Sequence, residues 1–188
     1  TSVAGWPVVL SSSVSTFSPA IGDLDGNGTL EIVAGTFDGK MYAFTRTGTI
    51  LPGWPVAAFP ATAEISPIIV DLDSDGRSEV IAAGASSASP VTTNKVVAYR
   101  WDGSVYPGFP KGLAAGGAYT PAAGDLNGNG KIEIAVIETA PYDNAVYSAW
   151  VSNNMIGTVH VWEFPGQATP QALQWPMFQH DPQHTGKY

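Results

Sequence analysis

The sequence contains the stretch Asp23-Leu24-Asp25-Gly26-Asn27-Gly28-Thr29-Leu30-Glu31, which places oxygen-bearing side chains at its first, third, fifth and ninth positions. Oxygens at alternate positions of a tight loop converge on one point. This arrangement suits a hard cation such as calcium, which takes about six to eight oxygen ligands. Gly26 permits the left-handed backbone that so sharp a turn requires. The stretch therefore predicts a cation-binding loop.

The same loop recurs twice along the chain. Asp71, Asp73, Asp75 and Glu79 repeat the pattern around Gly76, and Asp125, Asn127, Asn129 and Glu133 repeat it around Gly130. One such cluster of Asp, Asn and Gly also makes an ordinary turn. Three in register, with first residues 48 and 54 residues apart, indicate a repeat protein.

Each loop lies between short apolar segments that are too short for helices and rich in β-branched residues, as buried strands are. One segment precedes the loop, and three follow it: 31–35, 40–44 and 53–56 in the first unit, 79–84, 95–99 and 108–110 in the second, 133–137, 158–162 and 174–177 in the third. Turn glycines follow the third segment at Gly48, Gly103 and Gly166. Four short strands in about 50 residues are typical of a β-propeller blade.

We therefore predict an all-β fold of three four-stranded antiparallel propeller blades in one domain, residues 1–188. Residues 1–15 would be the outer strand of a preceding blade, 16–63 blade 1, 64–117 blade 2, and 118–188 blade 3 with a C-terminal closing segment. Propellers close with about four to eight blades, and three would leave apolar sheet faces uncovered. We expect a larger propeller, or a homo-oligomer that completes one.

The acidity of the chain is concentrated in the loops. The formal net charge is −8, and nine of the sixteen acids belong to the three loops, which leaves seven acids against eight Lys and Arg. No basic patch indicates nucleic acid as a partner, and no apolar run is long enough to insert in a membrane. Cysteine is absent, so thiol chemistry carries no function.

The run from Ser18 to Val33, which includes the first loop, resembles the FG-GAP/VCBS repeats of bacterial secreted proteins, which are related to the integrin α-chain propeller. The resemblance covers nearly the whole chain. It implies calcium as the bound ion, carried by the loop side chains named above together with the backbone carbonyls of Thr29, Arg77 and Lys131. This chain departs from the family by having Glu, not Asp, at the ninth position. The third loop has only two carboxylates and should bind most weakly. The alternative without metal is three solvated turns.

The remaining features favour packing over chemistry. Aromatic residues recur at two positions per unit, which indicates a core between blades; the residues are Phe44, Tyr99 and Trp162, and Trp54, Phe109 and Trp175. Insertions at 85–94 and 139–157 could carry binding surfaces, or could pack on the blade. His180, Asp181 and His184 are residue types found in metal-binding and acid–base sites, but nothing else in the sequence completes such a site. The favoured interpretation is that the C-terminal segment caps the last blade.

These observations predict a calcium-binding, non-catalytic module of a secreted or cell-surface bacterial protein, with protein or carbohydrate binding or adhesion as its role. No nucleophile with a base at a recognisable spacing is present, so no enzyme activity is expected. The alternative is the propeller part of a calcium-dependent polysaccharide-degrading enzyme, because rhamnogalacturonan lyases resemble this architecture. The few, scattered basic residues argue against that alternative.

Overall fold

The computed structural model describes residues 1–10, 12, 18–59, 66–84, 95–113, 119–138 and 157–177. These residues contain eleven β-strands and no helix, and so no helix among them could cross a membrane. The predicted all-β fold of antiparallel blades is confirmed. The insertions at 85–94 and 139–156, and the histidines of the C-terminal tail, lie outside the described residues.

The first two units form four-stranded antiparallel sheets in which sequence order equals spatial order. The strands of the first sheet are β1 (Ala20–Gly22), β2 (Glu31–Gly35), β3 (Lys40–Phe44) and β4 (Val56–Ala57). Those of the second are β5 (Ile68–Val70), β6 (Glu79–Gly84), β7 (Lys95–Tyr99) and β8 (Lys111–Gly112). In both sheets the acidic loop joins the first strand to the second. The fourth strands β4 and β8 are shorter and begin later than the sequence pattern indicates.

The third sheet has three strands among the described residues: β9 (Ala122–Gly124), β10 (Lys131–Glu138) and β11 (Thr158–Gln167). The fourth strand expected at 174–177 is not in this sheet. Trp175 instead exchanges both backbone hydrogen bonds with Ile69 of β5, each 2.9 Å long, and the Pro176 carbonyl accepts one of 2.7 Å from the Ala123 amide in β9. The segment therefore joins the first strands of two sheets, and this buries the Trp175 side chain to 5% exposure.

The sheets stack through two apolar cores, and the period of two in a strand decides which residue enters which core. The second sheet is covered on both sides, so β6 is buried at every position. Val80 and Ala82 face the core shared with the first sheet, whereas Ile81 and Ala83 face the core shared with the third. This explains why the segment is a continuous apolar run instead of an alternating one.

The outer face of the third sheet exposes apolar side chains. Ile137 of β10 and Val159 of β11 are paired across the sheet, and they are 51% and 64% exposed, with Val161 on the same face 43% exposed. Alternation along β11 puts Trp162 and Phe164 on the opposite face, against the second core. The exposed face is the one that would contact a further blade.

The recurring aromatic residues belong to the cores, as the sequence indicates. Phe44, Tyr99, Trp54 and Trp175 are each at most 8% exposed, and Trp54 meets Tyr99 edge to face at 6.3 Å between ring centroids. Trp162 is partly buried. Phe109 stacks on Phe164, with centroids 5.8 Å apart. Their packing role is confirmed.

Successive units are joined by interlocked turns. The Trp54 indole donates a 2.8 Å hydrogen bond to the Trp101 carbonyl in the next unit, and Trp6 does the same to Arg46 at 3.0 Å. Gly53 has a positive φ of 83°, and a Cβ there would overlap the Asp102 carbonyl oxygen. Residues 1–10 form no strand, so the outer strand expected there is not observed, yet Trp6 makes the same contact with the next unit as Trp54. Gly166, the expected third turn glycine, lies inside β11.

Candidate metal centre

The three acidic loops share one backbone conformation with two left-handed residues each. The fourth and sixth positions have positive φ in every loop: Gly26 and Gly28 at 75° and 83°, Ser74 and Gly76 at 60° and 85°, Gly128 and Gly130 at 78° and 83°. The sequence pattern pointed to one left-handed residue per loop, at the fourth position in the first loop (Gly26) and at the sixth in the other two (Gly76 and Gly130). It missed Gly28, Ser74 and Gly128. Two left-handed residues turn successive amide groups toward the centre of the loop.

The aspartate at the first position organises each loop by accepting these amides. Asp23 accepts hydrogen bonds from the amides of Gly26, Asn27 and Gly28 at 2.9, 3.1 and 2.8 Å. Asp125 accepts the equivalent three, and Asp71 accepts two, from Asp75 and Gly76. The carboxylate thus holds the backbone of the loop in its turn.

The glutamate at the ninth position lies at or near the start of the strand that follows each loop, and its side chain extends back across the loop. One carboxylate oxygen accepts the amide of the second loop residue at 3.0 Å in Glu31, 2.8 Å in Glu79 and 2.7 Å in Glu133. All three side chains are buried. The extra methylene of Glu relative to Asp gives the length for this contact. The departure from the family pattern therefore has the same geometric consequence in all three units.

The side chains converge in the first two loops. In each, one carboxylate oxygen from every member of the cluster lies within 4.8 Å of the others; the clusters are Asp23, Asp25 and Glu31, and Asp71, Asp73 and Glu79. Two oxygens bound to one calcium ion at about 2.4 Å can be at most about 4.8 Å apart. The spacing therefore fits a shared calcium ion. The third loop offers only two carboxylates, Asp125 and Glu133.

No basic side chain neutralises these clusters in the described part of the chain. Its ion pairs are Lys40 with Asp38, Lys131 with Glu163, and His160 with Glu138. The pKa of Glu79 is raised to about 8, mainly by burial; the neighbouring aspartates contribute to the rise, and the Leu72 amide opposes it. Burial also raises the pKa of Glu31 and of Asp71. Crowded, buried carboxylates of this kind must hold either protons or a cation.

Asp73 carries the strongest sign of a missing ligand. Its Oδ1 is buried and has no hydrogen-bond partner, a state that costs free energy in a folded protein. Tyr106 hydrogen-bonds to the same carboxylate, and burial raises the pKa of this phenol to about 12. An oxygen inside a carboxylate cluster without a donor is the arrangement that a cation completes. The residues of the second loop therefore fit calcium, and Tyr106 is a contact that the sequence pattern did not reveal.

Asp75 is not a member of the second cluster, and the ligand roles of Asn27, Asn127 and Asn129 stay predictions. Asp75 accepts the Arg77 amide at 2.8 Å, and Asn27 accepts the Thr29 amide at 2.7 Å. Asn127 and Asn129 likewise accept backbone amides of the third loop. The carbonyl role of Thr29, Arg77 and Lys131 stays a prediction.

The third loop has a neighbour that sequence reasoning missed. Glu163 of β11 accepts hydrogen bonds from Asn129 at 2.7 Å and from the Lys131 ammonium group at 2.8 Å. The ammonium group lowers the pKa of Glu163 most, followed by the Asn129 amide. The pairing of β10 with β11, which brings residue 163 beside the loop, could not be read from the loop itself. It places a carboxylate and a cationic group beside the loop with the fewest acids.

The recurring loop and the strands around it can be compared with known proteins. The family model for the FG-GAP-like repeat matches residues 23–82 and 71–136, which together span more than half of the chain. The chain belongs to the FG-GAP-like repeat family. No curated protein matches it significantly.

One solved structure similar to this FG-GAP-like chain is the crystal structure of the biofilm matrix protein Bap1 of V. cholerae. The two are 18% identical, with a TM-score of 0.38 over 80% of this chain. The chain spans 27% of the length of that protein. The two repeat matches begin at Asp23 and Asp71, the first residues of the first two acidic loops, so the family assignment and the site coincide.

Proposed function

We propose that this chain is a calcium-binding, non-catalytic propeller module of a secreted or cell-surface protein. The observation that carries the proposal is the buried, unpartnered Oδ1 of Asp73 inside a cluster of three carboxylates. Calcium is favoured over magnesium because the cluster consists of oxygens on a loop, without the compact octahedral cage that magnesium demands. Membership of the FG-GAP-like repeat family supports the same ion and an extracellular setting.

In this proposal calcium has a structural role. Bound at the second loop, it would be held by Asp71, Asp73 and Glu79, and at the first by Asp23, Asp25 and Glu31. It would supply positive charge that keeps buried carboxylates ionised. The chain's own residues set the loop shape through the first aspartate and the ninth glutamate. The third loop would bind most weakly, since it has two carboxylates and a lysine ammonium group beside it.

The experiment is a titration of the chelator-stripped chain with calcium, followed by calorimetry and thermal unfolding. Affinities of extracellular calcium modules are on the order of 10⁻⁴–10⁻³ M, and a tenfold excess over Kd stabilises by about 1.4 kcal/mol per site. Asp73→Asn should abolish binding at the second loop. Asp102→Asn is the matched control, because Asp102 is an exposed aspartate in a turn outside the three loops. A chain that binds no calcium and unfolds identically in chelator contradicts the proposal.

The absence of catalytic activity is part of the proposal. It is supported by the commitment of the loop carboxylates to amide hydrogen bonds and to the clusters. Incubation of the chain with pectic and other acidic polysaccharides should release no products. Turnover that is lost in a folded Asp or His variant would contradict this and favour the lyase-like alternative.

We further propose that another blade covers the apolar outer face of the third sheet. The equivalent faces of the first two sheets are covered by the next unit, and the exposed side chains of Ile137, Val159 and Val161 continue this pattern. The blade would come from a longer protein or from a second copy of this chain. Light scattering at micromolar concentration separates the two sources. A stable dimer means that a second copy of the chain supplies the blade, and a monomer means that a second copy does not.

A further inference from the structure

The first and second acidic loops touch each other through their backbones. The Ser78 amide, in the second loop, donates a 2.9 Å hydrogen bond to the Leu24 carbonyl in the first. Gly26 approaches the Gly76 carbonyl so closely that a Cβ on Gly26 would lie 2.5 Å from its oxygen. The two loops therefore share a boundary and cannot move independently.

The side chain of Gln174 bridges this boundary from a distant part of the sequence. Its Oε1 accepts the Asp23 amide at 2.5 Å, and its Nε2 donates to the Asp23 carbonyl and to the Ser78 hydroxyl, each at 3.0 Å. The Ser78 hydroxyl in turn donates to the Asp23 carbonyl at 3.2 Å. Asp23 is the first residue of one loop, and Ser78 immediately precedes the last residue of the other. One amide group thus fixes both.

Gln174 is held in place by the backbone on either side of it. Trp175 pairs with Ile69, and the Ala172 carbonyl accepts the Asp71 amide at 2.9 Å. Asp71 is the first residue of the second loop, so the segment that carries Gln174 is anchored to that loop. Movement of the second loop is therefore transmitted through 172–175 to Asp23.

The third loop does not share this arrangement in the part of the chain that the structure describes. The second loop contacts β11 there instead: the Leu72 carbonyl accepts the Gly166 amide at 2.8 Å, and Ser74 accepts the Gln167 amide at 2.8 Å. The third loop contacts Glu163 of its own sheet, and its Gly130 carbonyl accepts the Ala168 amide at 2.9 Å, one residue after the Gln167 amide that Ser74 accepts. The hydrogen bonds of the Gln174 side chain given above go to the first two loops, so Gln174 joins those two.

We propose that Gln174 is a positioning residue that couples cation binding in the first two loops, so that they bind with positive cooperativity. The inference rests on the proposed calcium function. An ion in the second loop orders Ser78 and the 172–175 segment. Gln174 then already holds both backbone groups of Asp23, so ordering the first loop costs less when its own ion binds. The loops carry three and four carboxylates, which offset the charges of two divalent ions.

The test uses the whole chain and reads each loop separately by nuclear magnetic resonance. The amide signals of Gly28, Gly76 and Gly130 report the first, second and third loops during titration with calcium chloride. Coupling energies between sites typically change affinity by about 5-fold or more. Disabling the second loop with Asp73→Asn should therefore weaken binding at the first loop by about 5- to 10-fold. Disabling the first loop with Asp25→Asn should weaken the second by the same factor, because coupling is reciprocal.

Gln174→Ala should abolish both cross-effects and leave the third loop's affinity unchanged. Gln174→Glu is the second variant: it keeps the shape and the acceptor for the Asp23 amide and loses the donor to Ser78, and it serves if the alanine variant does not fold. Gln171→Ala, an exposed glutamine three residues before Gln174, is the control and should preserve the cross-effects. Hydrogen exchange at the Asp23 amide gives an independent readout and should quicken in Gln174→Ala, which removes the acceptor of that amide.

The outcomes separate the two proposals. If the unaltered chain binds no calcium, the proposed function and this inference both fail. If calcium binds but Asp73→Asn leaves the first loop's affinity unchanged, the coupling is wrong and the calcium function stands. If the cross-effects persist in a folded Gln174 variant, the coupling runs through the direct loop contact and Gln174 is not its carrier.

Discussion

Replacing Gly53 with alanine tests the interlocked turns, and the chain supplies its own control. Gly53 and Gly108 occupy the same place in successive units, each before an aromatic residue and a proline, and both have a φ of 83°. They differ in their surroundings. A Cβ on Gly53 would overlap the Asp102 carbonyl oxygen and lie 2.8 Å from its carbon, whereas at Gly108 no described atom lies within 4 Å of it.

The magnitudes follow from these two conditions. Holding alanine in the left-handed region costs about 1–2 kcal/mol, and this applies equally to both variants. Forcing backbone apart in a packed contact costs about 1–3 kcal/mol more, and this applies to Gly53→Ala alone. We expect Gly108→Ala to lower the free energy of unfolding by about 1–2 kcal/mol and Gly53→Ala by about 2–5 kcal/mol.

Urea unfolding followed by tryptophan fluorescence measures the difference, provided that both variants keep the parent slope of free energy against denaturant. In thermal unfolding the excess loss corresponds to about 2–4 °C per kcal/mol for a chain of this size. Equal losses for the two variants would refute the reasoning. They would mean that the turn around Asp102 yields freely and that the contact between units contributes no stability.

Three further predictions can be checked in the same way. Trp54→Phe removes the partly buried hydrogen bond to the Trp101 carbonyl and should lower the free energy of unfolding by about 1–2 kcal/mol. Trp6→Phe removes the exposed counterpart and should lower it less in urea unfolding. In chelator, the melting temperature should fall as the pH rises from about 5 to about 8. The cause is that the carboxyl group of Glu79 has a pKa of about 8 in the folded chain and of about 4.5 in the unfolded chain. Glu79→Gln should make the melting temperature depend less on pH in this range. The rise in melting temperature on adding calcium should shrink more in Asp73→Asn than in Asn129→Ala; equal effects in scanning calorimetry would contradict the ranking of the loops.

The sequence revealed the repeat, the strands around each loop and the buried aromatic positions because these depend on local pattern. Glu31, Glu79 and Glu133 were recognised by spacing alone, and the structure shows the backbone amides that they hold. The position of Trp175 could not be predicted from its motif, which matches that of Trp54. Its pairing with Ile69 depends on which core has room for an indole, and that is decided by three sheets together.

The contacts around the second loop escaped sequence reasoning for a similar reason. Tyr106 and Gln174 lie about 30 and 100 residues from that loop along the chain, and the pattern around them does not indicate a contact with it. They reach it because the sheets stack, and no spacing within one unit encodes that approach. The chemistry of the loop could be anticipated from its oxygens, whereas the groups that hold it in place required the fold.

The interlocked turns also bear on how such an array evolves. Each of the first two contacts between units has a tryptophan supplied by one unit and a carbonyl supplied by the next, so a duplicated copy of such a unit carries both halves and fits on either side. The later units differ. The second has Phe109 at the equivalent position, which carries no N–H to donate, and Trp175 of the third pairs with Ile69 of the second sheet. Copying the first unit can therefore lengthen the array with its contacts intact, whereas a copy of a later unit would need a different contact with its successor.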